Sequence, residues 1–336
     1  MAEHRILTTD RAPVRSLVWA GDDLVDWVAG GARYGLDGAA RRGPVNYADR
    51  FDSAVASNDG KFAVIYERTG TKGLVLRDGK ILREIDRSFY QASVYEYPVC
   101  LWTREDGRSL LAHCPQEYNR IEIDDAETGE RLTESSERTP IDFFHSRLQI
   151  SPGGARLVSA GWVWHPWDAV QFFDIQQALQ DPKTLDLFSG MNPETDHAGA
   201  VQECGACWQD DDRLIVAGYE EEFLDEVRDN LDVPSLRPNG LAVYDIQRGK
   251  VTRSVVLRRH PGTIMAVAED WALSFYEHPR LVSLVNGEIL EEWPDIPSGI
   301  QVSSIIRDYR PPPMALDSVN RRFAVAEDDR IHVVTL

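Results

Sequence analysis

A short apolar run, a turn built from Asp, Gly or Asn, and a second apolar run recur along this chain, and nothing else in the sequence restricts its fold as tightly. The clearest copies are LQISPGGARLVSAG (Leu148 to Gly161), ACWQDDDRLIVAG (Ala206 to Gly218), MALDSVNRRFAVAE (Met314 to Glu327) and SAVASNDGKFAVIYE (Ser53 to Glu67). Looser copies begin at Val14, Val99 and Ile264. Each reads as a β-hairpin. The arms are rich in Val, Ile, Leu, Phe and Trp, which pack well on a pleated surface, and the turn residues tolerate a tight reversal. The turns fall near residues 22, 59, 106, 153, 211, 270 and 320, with little helical periodicity between them.

A third strand follows, often ending in an acid and a second turn, as in AVQFFDI (Ala169 to Ile175) and LAVYDIQRGK (Leu241 to Lys250). RIEIDDAETGERL (Arg120 to Leu132) and LVSLVNGEILEEW (Leu281 to Trp293) add a fourth strand after that turn. Four strands in roughly 40–45 residues is the period of a propeller blade, and seven blades need about 294 residues. The pattern predicts an all-β fold, a seven-bladed β-propeller of four-stranded antiparallel blades in one domain over residues 1–336. Its blades are expected near 14–50, 51–92, 97–135, 143–190, 203–258, 262–296 and 313–336 plus 4–9. The hairpin SPGGARLVSAG, followed by strands closing in FFDI or VYDIQRGK, resembles the WD-repeat and YVTN-type β-propeller superfamily. Phe173-Asp174 and Tyr244-Asp245 stand where that family has Trp-Asp, and its Gly-His pair is not recognisable.

The last unit offers only three strands: Met314 to Ser318, Arg322 to Glu327 and Ile331 to Leu336. The segment His4 to Thr9 is strand-like and has no unit of its own. Pairing beside Ile331 to Leu336 would complete the seventh blade and cover two edges that otherwise invite association.

Antiparallel strands alternate direction, so the links between strands two and three and between blades share one face. Every long or unusual segment falls in those links: Ala39–Arg50, Ser135–Arg147, Trp162–Asp168, Lys183–Glu203, Tyr219–Asn239 and Ser298–Pro313. Function concentrates on loops held by a rigid scaffold, which makes this the expected binding face. Trp162, Trp164, His165, Trp167 and Asp168 read as an aromatic docking platform or as a plug packed on neighbouring blades. Tyr219 to Leu231 is the best helix candidate, with Phe223, Leu224, Val227 and Leu231 on one stripe. Arg147 and Arg310 join Arg41, Arg42, Arg50, Arg138 and Arg307 as candidates to contact an anionic ligand or acidic peptide, or else to pair with surface acids.

No nucleotide loop, nucleophile elbow or zinc helix is present. His145, His165, Asp168 and His197 are the residues that would hold a metal or do acid–base chemistry. Cys204 and Cys207 have redox spacing without a second pair. In a regular strand, residues three apart face opposite sides, so both cysteines read as structural. With 36 Lys and Arg against 55 Asp and Glu, the net charge of −19 disfavours nucleic acid and anionic lipid. The mean hydropathy of −0.36 and the lack of a long apolar run disfavour a membrane span. Four cysteines suit the reducing cytoplasm. The expectation is a cytoplasmic, non-catalytic scaffold that binds a protein or peptide and needs no cofactor. The alternative is a hydrolase- or lyase-type propeller enzyme using the His/Asp set at a central opening.

Overall fold

The strand pair Phe62–Tyr66 and Lys72–Arg77 shows how these residues make a blade. Successive side chains point to opposite sheet faces. Phe62, Val64 and Val75 enter one buried cluster with Tyr97, Val99, Leu101 and Leu111, while Ala63, Ile65, Leu74 and Leu76 enter another with Val25, Trp27 and Phe51. Both faces are covered, so the arms read as continuous apolar runs instead of alternating ones.

The structure, a computed structural model, describes residues 2–9, 13–45, 47, 50–164, 167–191, 201–219, 234–307 and 309–336. Its strands form seven antiparallel sheets, and the architecture is a seven-bladed β-propeller. All seven turns anticipated from the repeat lie in the first hairpin of a blade.

The chain divides into two compact units. The first, residues 1–135 and 306–336, holds four blades. They are Val18–Ala20, Asp23–Asp26, Ala32–Gly35 and Ala40–Arg41; Ser53–Ala56, Phe62–Tyr66, Lys72–Arg77 and Lys80–Asp86; Val99–Thr103, Ser109–His113 and Glu122–Asp125; and Met314–Asp317, Arg322–Glu327 and Arg330–Thr335, completed by Glu3–Thr8. The second unit, residues 136–305, holds three. They are Leu148–Ile150, Arg156–Val163 and Trp167–Asp174; Glu203–Trp208, Arg213–Gly218, Gly240–Asp245 and Lys250–Val256; and Ile264–Ala268, Trp271–Ser274, Arg280–Ser283 and Ile289–Glu292.

The closing strand pairs from Glu3 opposite Thr335 to Thr8 opposite Arg330. Its one buried side chain, Leu7, joins Val14, Leu17, Leu24, Ala315, Ile331 and Val333.

Two blades depart from four full strands. In the third, the return after Glu122–Asp125 shrinks to a bridge between Asp124 and Arg131. In the fourth, the chain instead turns into a helix, Ile175–Gln180, whose N-cap Asp174 accepts from the Gln177 N–H. Asp174-Ile-Gln-Gln177 has the spacing of a capping box. A 3₁₀ turn over Pro182–Asp186 follows, and the chain returns to the sheet where Phe172 N–H donates to the Ser189 carbonyl. Arg138 holds this detour from within. Its Nε donates to Asp186 Oδ1 at 2.7 Å, and the Thr139 N–H donates to Oδ2 at 2.7 Å.

The recurring acid after the third strand also has a local reason. Asp125 Oδ1 accepts from the Glu127 and Thr128 N–H groups, and Asp245 Oδ1 accepts from Arg248. These Asx-type contacts set the second turn of the blade. In the second blade, Arg87 ties two links together, because its guanidinium donates to the carbonyls of Arg68 and Gly70 in one and of Ala92 and Tyr95 in the other.

Candidate functional site

The hairpin Arg156–Val163 and Trp167–Asp174 is paired over eight positions, from Arg156 opposite Asp174 to Val163 opposite Trp167. The segment Trp162–Asp168, expected as a loop, is therefore partly strand: Trp162, Val163, Trp167 and Asp168 lie in the ladder. Phe144 extends the ladder, exchanging both main-chain hydrogen bonds with Trp162. Gly161 permits this approach, since a Cβ there would sit 2.0 Å from the Phe144 carbonyl oxygen.

The result is a stack of rings. Phe144 and Trp162 lie 3.8 Å apart at 6°, and Trp164 stands 6.2 Å from each of them, tilted by 24° and 25°. Trp162 is 3% exposed and Trp164 is 48% exposed. Trp162 packs down, and Trp164 projects from the stack. Trp167 is half-buried.

Beneath the tip sits Asp168, buried at the start of its strand. Its Oδ1 accepts from Ser304 Oγ at 2.6 Å and from Ser304 N–H at 3.2 Å, while Oδ2 accepts from Gln202 Nε2 at 3.4 Å. Arg147 acts on it electrostatically. That residue adopts φ +45° and donates from Nε to the Ala160 carbonyl, and its Nη2 is buried without a partner. A left-handed Arg costs energy and persists only when its surroundings determine it. Glu203 Oε2 accepts the Val170 N–H at 2.9 Å. Asp168 therefore fastens the hairpin to the start of the fifth blade and to the link that leaves the sixth.

Burial pushes the Asp168 carboxyl up from 3.8, against Arg147 and the hydrogen bonds from Ser303 and Ser304. Folding thus strengthens its hold on a proton. Its contribution to stability falls as pH rises through the raised value and is regained as pH falls toward the ordinary one. Asp168→Asn is expected to remove that component. In calorimetry, wild type should gain stability relative to the variant as pH falls toward 3.8. A pH-independent difference would contradict this assignment.

The remaining candidates are dispersed. His145 is buried, with Nδ1 3.1 Å from Ser159 Oγ and its ring between Phe143 and Phe173. His165, His197, Phe223 and the helix expected up to Leu231 lie outside the described residues. Among the described residues, no three His, Cys, Asp or Glu side chains converge as a metal would require. The Tyr219 ring is 5.1 Å from that of His260, which is 5.4 Å from that of Tyr276. Arg310 belongs to the first unit, exposed and 3.7 Å from Asp52.

Cys204 and Cys207 share one buried cluster instead of opposite faces, because the ladder shifts register between Glu203 and Gly205. Burial pushes both thiols up to about 12, so neither is a ready nucleophile. Gln202, Ser303 and Ser304 were not singled out by the sequence. Only the length of the links that carry them pointed their way.

No protein-family profile matches this chain, and no curated protein matches it. Solved structures do: 1110 chains resemble it. A chain from the crystal structure of the mitotic checkpoint complex aligns with TM-score 0.61 and 12% identity, covering 99% of this chain and 91% of that one. Virginiamycin B lyase from Staphylococcus aureus, in selenomethionine-substituted form, aligns with TM-score 0.55 and 14% identity over 100% of both chains. At such identities the likeness shows the fold alone. A chain from a complex and a lyase share it, so function has to be argued from the side chains.

Proposed function

We propose that this chain is a non-catalytic propeller that binds a protein or peptide through the tip of its longest hairpin. Trp164 carries the reading. It presents nearly half its surface to solvent while resting on the buried Trp162–Phe144 stack. An aromatic ring already held in place loses little freedom on docking, and tryptophan is the residue type most enriched at the energetic centres of interfaces. The Asp168 network beneath gives the tip a rigid base. A neighbour drawn from the mitotic checkpoint complex supports the same class of role. Kinship with WD-type propellers belongs to this proposal, as does a cytoplasmic location, which four buried cysteine thiols suit.

Affinity capture from the native host lysate tests it, with wild type beside Trp164→Ala. A stoichiometric partner held by wild type should be lost from the variant. Truncating a half-exposed ring forfeits only about 0.5–1.5 kcal/mol of stacking, so the melting temperature should fall by about 2 °C or less. A partner retained by the variant, or no partner on either bait, would refute the assignment.

A further inference from the structure

The first blade ends early on its outer side. Its outermost strand, Ala40–Arg41, has two residues, while that of the second blade, Lys80–Asp86, has seven. The second blade's face with Ala63, Ile65, Leu74 and Leu76 packs against Val25, Trp27 and Phe51. In the register of its last two strands Leu74 lies opposite Glu84 and Lys72 opposite Asp86, which carries the same face outward. The first blade has too little strand to cover that extension. A cavity of about 480 Å³ opens there, lined by Arg50, Phe51, Glu67, Lys72, Leu74 and Glu84.

Phe51 and Leu74 make its apolar floor, both of them buried. Phe51 is held in place by Arg15, whose Nη2 donates to its carbonyl. Two cations and two carboxylates surround this floor. Elsewhere in the same unit such charges are spent on one another: Arg33 pairs with Asp23, and Arg68 with Glu96. Lys72 is likewise joined to Asp86 at 2.5 Å. The side chains of Arg50, Glu67 and Glu84 make no hydrogen bond or ion pair among the described residues.

An unspent guanidinium offers a fork of donors matched to a carboxylate. Unspent carboxylates are acceptors for an ammonium, and the floor between them takes apolar side chains. A ligand of one sign would leave the other unanswered. The volume falls within the roughly 300–1,000 Å³ of small-molecule sites. Arg50 stands at the entry to the blade, Glu67 in the link after Phe62–Tyr66, and Glu84 on the outermost strand. Charges spread over three elements suit a ligand whose own two charges are apart, as in a peptide, better than one that carries both on a single carbon. We propose that this cleft binds a short apolar peptide with free termini, its carboxylate on Arg50, its ammonium on Glu67 and Glu84, and its side chains on Phe51 and Leu74. All of these residues belong to the first unit, whereas Trp164 belongs to the second, so neither role depends on the other.

Isothermal calorimetry of the full chain with leucyl-leucine tests it, beside N-acetyl-leucyl-leucine, leucyl-leucinamide and free leucine. One leucyl-leucine should bind per chain. Losing either terminal charge should weaken binding by about tenfold or more, the size of a charge-assisted hydrogen bond. Arg50→Gln replaces an exposed side chain and should fold normally, yet it should bind about tenfold more weakly and no longer distinguish the free acid from the amide. Glu67→Gln combined with Glu84→Gln should likewise cease to distinguish the free amine from its acetylated form. Failure of wild type to bind millimolar leucyl-leucine would overturn the proposal. An Arg50→Gln protein that still prefers the free acid would overturn it too, as would free leucine bound as tightly as the dipeptide.

Discussion

Deleting residues 3–8 is expected to lower the melting temperature by about 5 °C and to make the protein self-associate. The strand is mostly exposed, so its cost cannot be judged from apolar burial alone. Its main-chain hydrogen bonds each contribute about 0.5–1.5 kcal/mol. The freedom recovered by six unordered residues, about 1–2 kcal/mol each, offsets most of that sum. What remains is Leu7, worth about 2 kcal/mol when buried, together with the cover the strand gives to Ile331 and Val333, both buried in the same cluster. Exposure of that pair brings the loss to about 3–5 kcal/mol. The more visible consequence is a new edge: Arg-Ile-His-Val-Val-Thr, from Arg330 to Thr335, would present unpaired main-chain groups in a β-branched sequence with little charge. Scanning fluorimetry beside gel filtration reads both effects. An unchanged melting point with an unchanged elution volume would mean that the seventh blade does not depend on this strand.

The seam was legible in the sequence because it follows from counting: the last unit is one strand short, and one strand at the other end has no unit. The seven hairpins were legible for a similar reason, since Asp-Gly, Asn-Asp-Gly and Pro-Gly-Gly turns between β-branched runs signal locally what they form. The missing fourth strands were harder to see. Asp174-Ile-Gln-Gln177 announces a helix only if the acid is read as an N-cap, and in the neighbouring repeats the same acid begins a turn. The Cys204–Cys207 register escaped notice because a bulge at Gly205 breaks the two-residue period from which the faces were assigned.

The candidate site was legible in its residue types and not in its connections. Trp162 and Trp164 are indistinguishable by composition. They separate into a buried and a projecting ring where Phe144, eighteen residues before Trp162, extends the ladder and stacks on Trp162. Asp168 reads as a loop carboxylate, yet its strongest partner, Ser304, is 136 residues away and carries no local signal. In the sequence Arg147 reads as a charge for an anionic ligand or acidic peptide, or for a surface acid. In the structure its Nε serves the Ala160 carbonyl, and its charge serves Asp168. Long-range polar contacts of this kind are set by tertiary packing, which periodicity does not encode.

Arg87→Ala is expected to cost about 3–5 kcal/mol, equivalent to about 5 °C, and to open the link between the second and third blades to proteolysis. The side chain is 3% exposed. Its guanidinium stands 4.6 Å from the centre of the Tyr95 ring and 5.0 Å from that of Tyr97. Among the described residues no carboxylate pairs with it; it donates to the main-chain oxygens of Arg68, Gly70, Ala92 and Tyr95 and also meets the Tyr95 side chain. Burying a cation this way is expensive, and burial pulls its pKa down accordingly. Removing the charge therefore returns part of the cost. The larger consequence is that the carbonyls of Gly70, Ala92 and Tyr95 lose this donor, while that of Arg68 keeps the Tyr97 N–H, at about 1–3 kcal/mol for each that water cannot reach. Arg87→Lys separates charge from geometry. An ammonium keeps the cation over the tyrosine rings, but as a compact point charge it cannot span oxygens on two separate links. If the contribution lies in the fork of donors, Arg87→Lys will be nearly as unstable as Arg87→Ala, with cleavage in both concentrated between Ser88 and Glu96. If Arg87→Lys melts like wild type, the cation–ring contact is what holds the link, and the carbonyl bonds are incidental to it.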